Sequence, residues 1–120
     1  GLNSPLLLGL PNTFHSLQWH GAEVKQLPEG ANSLASSQLS PNQAMQYGEC
    51  AFSVQFHIEL INSTVSDWGE IPEYKQSLTK TLGPGALDGL EQDANKMMEQ
   101  FNQSALIMYQ NFIQLIQSCD

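Results

Sequence analysis

The chain has 120 residues, 41% of them hydrophobic, and a formal net charge of −8, with four lysines and no arginine against 12 acidic residues. This length indicates one domain or part of one. The acidic balance argues against a phosphate-binding surface for nucleic acid and against attraction to an anionic membrane. No apolar run approaches the roughly 20 residues that span a bilayer. We therefore predict neither a nucleic-acid partner nor a membrane partner.

The start of the chain and its cysteines predict an incomplete intracellular protein. The first residues, GLNSPLLLGLP, lack an initiator methionine and a basic segment, which predicts a piece of a longer protein rather than a signal peptide. Cys50 lies in a strand pattern and Cys119 at a frayed end, so they predict neither a disulfide framework nor a CxxC metal pair. A reducing cytoplasm is the corresponding location.

Residues 13–59 are predicted to be rich in short strands. Candidate strands cover residues 13–19, 23–26, 33–38, 43–48 and 50–56. Turn residues separate several of them, as at 41–42 and 48–49. Because turns this short cannot make a parallel crossover, part of the sheet is predicted to be antiparallel.

Residues 62–118 are predicted to be helical. Residues 62–64 offer N-cap candidates for a short helix, and Pro72 suits the first position of a second helix that stops at Gly83. A third helix is predicted over 84–117, where apolar residues recur at three- and four-residue steps. These residues are Leu87, Leu90, Ala94, Met97, Phe101, Ala105, Met108 and Phe112. This broad apolar face needs a sheet to cover, which predicts that central strands are missing from the N-terminal side of the given sequence.

His57 and Glu59 end the last predicted strand, in the stretch AFSVQFHIELINS. Residues two apart in a strand point to the same face, and ligands of open α/β sheets bind near the carboxyl ends of strands. A carboxylate beside a histidine can hold its ring in one tautomer, which is the orienting role in a nucleophile–base–acid triad. The spacing also fits an exposed turn, and contact between the two side chains would have to be shown.

Four motifs between residues 19 and 59 follow one another in the order of a known family. They are WHG (Trp19, His20 and Gly21), LPEGANSLASS, NQAMQYG and VQFHIE. Together they resemble the C-terminal half of a class I glutamine amidotransferase domain, of the GMP synthase-like glutaminase family, over residues 4–60. The resemblance implies an α/β fold, the C-terminal part of a flavodoxin-like three-layer glutaminase domain with short strands followed by helices.

The resemblance also implies a chemistry. In this family a cysteine thiolate attacks the side-chain amide of glutamine, a γ-glutamyl thioester forms, and ammonia leaves, usually to a synthase. By the resemblance, His57 is the general base and acid, and Glu59 orients it. The implied partners are glutamine or another γ-glutamyl substrate and an ammonia-accepting synthase domain, with no metal or organic cofactor.

Departures from the family pattern bear on activity. Ile58 stands where the family has a proline that would stiffen the turn, and Ala22 stands where many members have aspartate. The cysteine elbow Gly-x-Cys-x-Gly is absent from the chain, together with the half that carries the oxyanion hole. Seven residues of strand, roughly 20 Å, separate Cys50 from His57. We therefore predict no nucleophile in this chain and no glutamine hydrolysis by the chain alone.

Other chemically competent side chains have less specific interpretations. Trp19 and His20 are predicted to line the substrate pocket, although a packing tryptophan and a turn histidine are the alternative. His15 alternates with Leu17 on its predicted strand and is expected to be a structural or surface histidine. No pair of histidines has the helical spacing of metal ligands, so no metal site is predicted.

The sequence thus predicts a partial amidotransferase-like domain over residues 1–120, strand-rich at 13–59 and helical at 62–118, without the half that carries the nucleophile. One alternative is a non-catalytic domain that keeps the fold for binding or regulation. A third interpretation is an unrelated small α/β domain that carries these motifs. A cysteine elbow upstream distinguishes the first two.

Overall fold

A computed structural model describes residues 3–119 of the chain. Three strands precede three helices, so the predicted α/β order of strands first and helices after is confirmed. The elements are β1 (Ala31–Ala35), β2 (Ala44–Tyr47), β3 (Ala51–Val54), α1 (Thr64–Gly69), α2 (Pro72–Leu82) and α3 (Ala86–Ser118). None of the helices within this described part is both long and apolar enough to cross a membrane.

The three strands form one antiparallel sheet in the order β1-β2-β3. Tyr47 pairs with Ala51 across the hairpin that joins β2 and β3, which confirms the predicted turn at 48–49. Gly48 has a φ of 61°, in the left-handed region that glycine adopts without steric cost. The register between β1 and β2 shifts between Ser33 and Ala35, where one extra residue bends the edge of the sheet.

Two predicted strands are wrong. Residues 13–19 contribute one antiparallel bridge, between Leu17 and His57, and residues 23–26 form no strand. In the second segment the carbonyl of Val24 instead accepts a hydrogen bond of 2.9 Å from the side-chain amide of Asn42. A strand needs a partner along its length, and alternation of side chains cannot show whether one is present.

The helix boundaries follow the predicted signals. Pro72 occupies the first position of α2, where a missing N–H costs no hydrogen bond, and Gly83 ends that helix with a φ of 93°. The N-cap of α1 is Ser63, one of the candidates, but its side chain makes no capping bond. Instead the hydroxyl of Thr64 accepts the backbone N–H of Ile61 at 2.9 Å.

One face of α3 carries both apolar clusters. The first cluster consists of Leu17, Leu60, Val65, Ala94, Met98 and Phe101, with Met97 packed against it. The second consists of Ala44, Phe56 and Ile58, with Phe14 and Met108 packed against it. The methionines of α3 therefore fill the core, as predicted, and the helix joins the strand region to α1.

The cysteines overturn three sequence expectations. Cys50 lies in the exposed turn between β2 and β3 rather than in a strand, and Cys119 follows the end of α3. The two form a disulfide with 5.9 Å between their Cα atoms across 69 residues of sequence, so the end of the chain is not frayed at Cys119. No local sequence pattern at either cysteine indicates this pairing. The two residues meet only in the folded chain, where the end of α3 lies beside the turn after β2.

Candidate functional site

The backbone of His57 is fixed by the bridge to Leu17. The N–H of Leu17 donates to the carbonyl of His57 at 2.8 Å, and the N–H of His57 donates to the carbonyl of Leu17 at 2.9 Å. Phe56 and Ile58, on either side of His57, are buried in the second apolar cluster. Since successive side chains of extended backbone point to opposite faces, their burial turns His57 and Glu59 to the other face.

His57 and Glu59 are in direct contact, which the spacing alone left open. The ring atom Nδ1 of His57 lies 2.6 Å from Oε1 of Glu59, and the N–H of Ile58 donates to Oε2 at 2.9 Å. A carboxylate can only accept, so Nδ1 carries the proton and the neutral ring has its lone pair on Nε2. Among residues 3–119, none forms a hydrogen bond with Nε2. The ring can therefore take a proton at that atom.

The environment of Glu59 favours its charged form. Partial burial alone would raise the pKa of its carboxyl group, but the hydrogen bond from His57 and those from the backbone outweigh that effect. The attraction of the imidazole acts in the same direction, and the pKa is lowered from its ordinary value of 4.5. Glu59 thus remains a carboxylate, and an acceptor for Nδ1, to a lower pH than a free glutamate.

Trp68 contacts the histidine ring, a contact that no sequence motif indicates. The centroids of the His57 and Trp68 rings are 4.9 Å apart, and the ring planes meet at 71°. Trp68 belongs to α1, eleven residues beyond His57. It lies outside every motif that the sequence offered, and only the packing of α1 brings it to the site.

The two predicted pocket residues have different positions. Trp19 is half-buried and packs edge-on against Trp68, with 5.4 Å between ring centroids, so it lies one side chain away from His57. His20 is exposed and engages local acceptors, the side chain of Gln18 at 3.0 Å and the carbonyl of Ala22 at 2.5 Å. Together with Trp19 and α2 it lines a cleft of about 940 Å³, whose lining does not include His57. Trp19 therefore lies between this cleft and the aromatic contact with Trp68, whereas His20 lies only at the cleft.

An apolar cleft of about 340 Å³ opens beside Glu59, between β3 and α3. Glu59 is the one charged residue among the described residues of its lining, which include Phe52, Val54, Met108 and Phe112.

His15 is exposed, as predicted. No group of three or more His, Cys, Asp or Glu side chains is arranged to hold a metal ion in the described part of the chain.

Neither cysteine of the chain is available as a thiolate. Cys50 and Cys119 are joined to each other, and the residues that the structure describes include no free cysteine. A disulfide sulfur cannot deprotonate or add to a carbonyl as a thiolate does. Within residues 3–119, the His57–Glu59 pair therefore has no free thiol beside it.

Comparison with known proteins identifies the family. Searches of curated proteins and of solved structures found no match to this chain. The family model described as glutamine amidotransferase class-I matches residues 2–67, which include all four motifs and the His57–Glu59 pair. This match covers more than half of the 120 residues and excludes an unrelated α/β domain. The chain belongs to the class I glutamine amidotransferase family.

Proposed function

We propose that this chain supplies the base and the orienting carboxylate for hydrolysis of the side-chain amide of glutamine or of another γ-glutamyl compound. The observation that carries the proposal is the hydrogen bond of 2.6 Å between Nδ1 of His57 and Glu59, which leaves Nε2 as the basic atom. In this proposal His57 is the general base and acid, and Glu59 holds its ring. The nucleophile is a cysteine outside residues 1–120.

The proposed chemistry proceeds in two steps. Nε2 of His57 takes the proton of the thiol as the sulfur attacks the amide carbon, and it then donates that proton to the departing ammonia. The product of this step is a γ-glutamyl thioester. In the second step His57 takes a proton from water, the hydroxide adds to the thioester, and glutamate leaves as the thiol regains its proton. Glu59 stabilises the imidazolium that forms in each step.

No metal or organic cofactor is required, since the proton transfers and the thioester need only the triad. The proposed acceptor of the ammonia is a synthase domain or subunit.

The predicted cytoplasmic location stays a prediction. It was based on two unpaired cysteines, whereas Cys50 and Cys119 form a disulfide, and disulfides persist mainly in oxidising compartments.

A second candidate is a non-catalytic member of the family that binds γ-glutamyl compounds. The observation behind it is that residues 3–119 include no free thiol, so the described part of the chain can bind a γ-glutamyl compound but cannot attack it through sulfur. In such a protein the His57–Glu59 pair would bind the ligand without acting on it. Binding of glutamine by calorimetry, with no release of glutamate from the full protein, would support this candidate over the enzyme.

The test is glutamate release by the full protein as its gene encodes it, in the wild type and in His57→Ala. Loss of a positioned acid–base group costs about 10²–10⁴-fold in rate, and we expect a decrease of that size. His15→Ala is the matched control, because His15 is an exposed histidine outside the site. Release that is equal in the wild type and in His57→Ala would contradict the proposal.

The isolated chain provides a second control. We expect residues 1–120 to release no glutamate above the His57→Ala background, because the chain has no free thiol among its described residues. Release by the isolated chain would place the nucleophile inside it and overturn the assignment of the cysteine to another segment.

A further inference from the structure

We infer that Trp68 is a positioning residue for His57, holding the plane of the imidazole ring while Glu59 holds its Nδ1 atom. The inference rests on the proposed role of His57 as the general base. It concerns a residue of α1 that lies one position beyond the part of the chain matched by the family model.

The hydrogen bond to Glu59 constrains the ring at one atom only. Glu59 is itself largely exposed, with 62% of its side-chain surface accessible, so its carboxylate can move with the ring it holds. A second contact is needed to fix the direction in which Nε2 points. Trp68 provides that contact, because its indole meets the imidazole at 71° with the centroids 4.9 Å apart, within the range of edge-to-face aromatic pairs.

Trp68 makes further packing contacts that restrict its own position. The ring of Trp19 packs against it at 87°, and both tryptophans pack against the buried cluster that contains Leu17 and Val65. Leu17 also forms the backbone bridge to His57. His57 is therefore linked to Trp68 directly and also through its backbone bridge to Leu17, which belongs to the cluster against which both tryptophans pack.

The next residue fixes the position of α1. Gly69 is buried, and a Cβ atom at this position would collide with the side chain of Leu87 on α3. The close approach of α1 to α3 thus sets the distance from which the Trp68 indole reaches His57. None of the proposed proton transfers involves Trp68, so its effect on the reaction acts through the orientation of His57.

The test combines kinetics of the full protein with NMR of the His57 ring in Trp68→Leu and Trp68→Phe. An aromatic contact of this kind corresponds to roughly a two- to tenfold change in rate. We expect Trp68→Leu to lower kcat by that factor with little change in KM, and Trp68→Phe to restore most of it. Relaxation of the His57 ring carbons should show a more mobile ring in Trp68→Leu than in the wild type.

Tyr47→Leu is the matched control, because Tyr47 is an exposed aromatic residue on β2 and no part of the site. It should leave kcat and the mobility of the His57 ring unchanged. A wild-type kcat together with a rigid ring in Trp68→Leu would overturn the inference. Equal losses in Trp68→Leu and Tyr47→Leu would also overturn it, since the effect would then be general.

Measurements on the wild type keep the inference testable if Trp68→Leu does not fold. Nuclear Overhauser contacts between the His57 ring protons and the Trp68 indole are expected, and their absence would refute the inference. The proposed function fails separately. If the proposed function is wrong, His57→Ala keeps the wild-type activity even though the contacts between the His57 and Trp68 rings are present. If only this inference is wrong, His57→Ala loses activity and Trp68→Leu keeps it.

Discussion

The strand region (residues 13–59) and the helical region (residues 64–118) divide the molecule into unequal roles. The strand region carries all four family motifs and the His57–Glu59 pair, yet its strands are only four or five residues long. The helical region has no titratable group in the proposed site, but α3 supplies one side of both buried clusters. The residues of the proposed chemistry therefore lie in the strand region, whereas the buried core draws on both regions.

The comparison also shows where the two regions depend on each other. Trp68 crosses from the helical region to the ring of His57, and the disulfide joins the turn after β2 to the end of α3. Changes in the helical region should mainly lower stability, and they should reach the chemistry only through these links. Stability and activity can thus be altered separately, which makes the division testable.

The largest expected effect on stability comes from the disulfide. A crosslink that closes a loop of 69 residues restricts the unfolded chain, and in the chain-entropy account it stabilises by about 4 kcal/mol. Reduction, or the double variant Cys50→Ser/Cys119→Ser, should lower the free energy of unfolding in urea by about that amount. Reductant should have no effect on the double variant. Equal unfolding midpoints with and without reductant in the wild type would show that the two regions do not depend on this link.

Gly69→Ala should have the next largest effect. Its Cβ would overlap both Cδ atoms of Leu87 and approach Cγ to 3.0 Å, so the Leu87 side chain must shift or α1 must move away from α3. Overpacking of this kind costs about 1–3 kcal/mol, and thermal unfolding should report it. Gly89→Ala is the matched control, because an added Cβ there meets no atom within 4 Å. A wild-type melting temperature in Gly69→Ala would mean that the contact between α1 and α3 does not limit stability.

The smallest effect is the acid dependence that arises from Glu59. Because its pKa is lowered on folding, the His57–Glu59 pair stabilises the fold above the ordinary value of 4.5, and this contribution is lost as the pH falls through the lowered pKa. The difference in melting temperature between the wild type and Glu59→Gln should be small, because the side chain is largely exposed. It should be present at neutral pH and vanish in acid. A difference that grows in acid would have the wrong sign.

Sequence reasoning succeeded where the signal was local. Pro72 and Gly83 mark the ends of α2, and Gly48 marks the hairpin turn. The apolar steps of α3 predict its burial at Ala94 and Phe101 but are wrong at Phe112, which is exposed. The motif that ends in His57 and Glu59 puts both residues in one local segment, where their side chains are in contact. Each of these features depends on residues close together in the chain, so their spacing carries the information.

The failures share a different cause, which is contact between distant segments. Residues 13–19 have a strand pattern but find a partner only at Leu17. Cys50 and Cys119 pair across the fold, and Trp68 reaches His57 through the packing of α1. Periodicity and spacing describe one element at a time and contain no information on which elements will meet.

The measurement that tests the central claim most directly is the protonation state of the two ring nitrogens of His57, by ¹⁵N NMR at alkaline pH in the wild type and in Glu59→Gln. The account predicts a proton on Nδ1 and a bare Nε2 in the wild type, and a mixture of tautomers when the amide replaces the carboxylate. A wild-type ring that carries its proton on Nε2 would contradict the account, because the atom assigned as the base could then accept no proton.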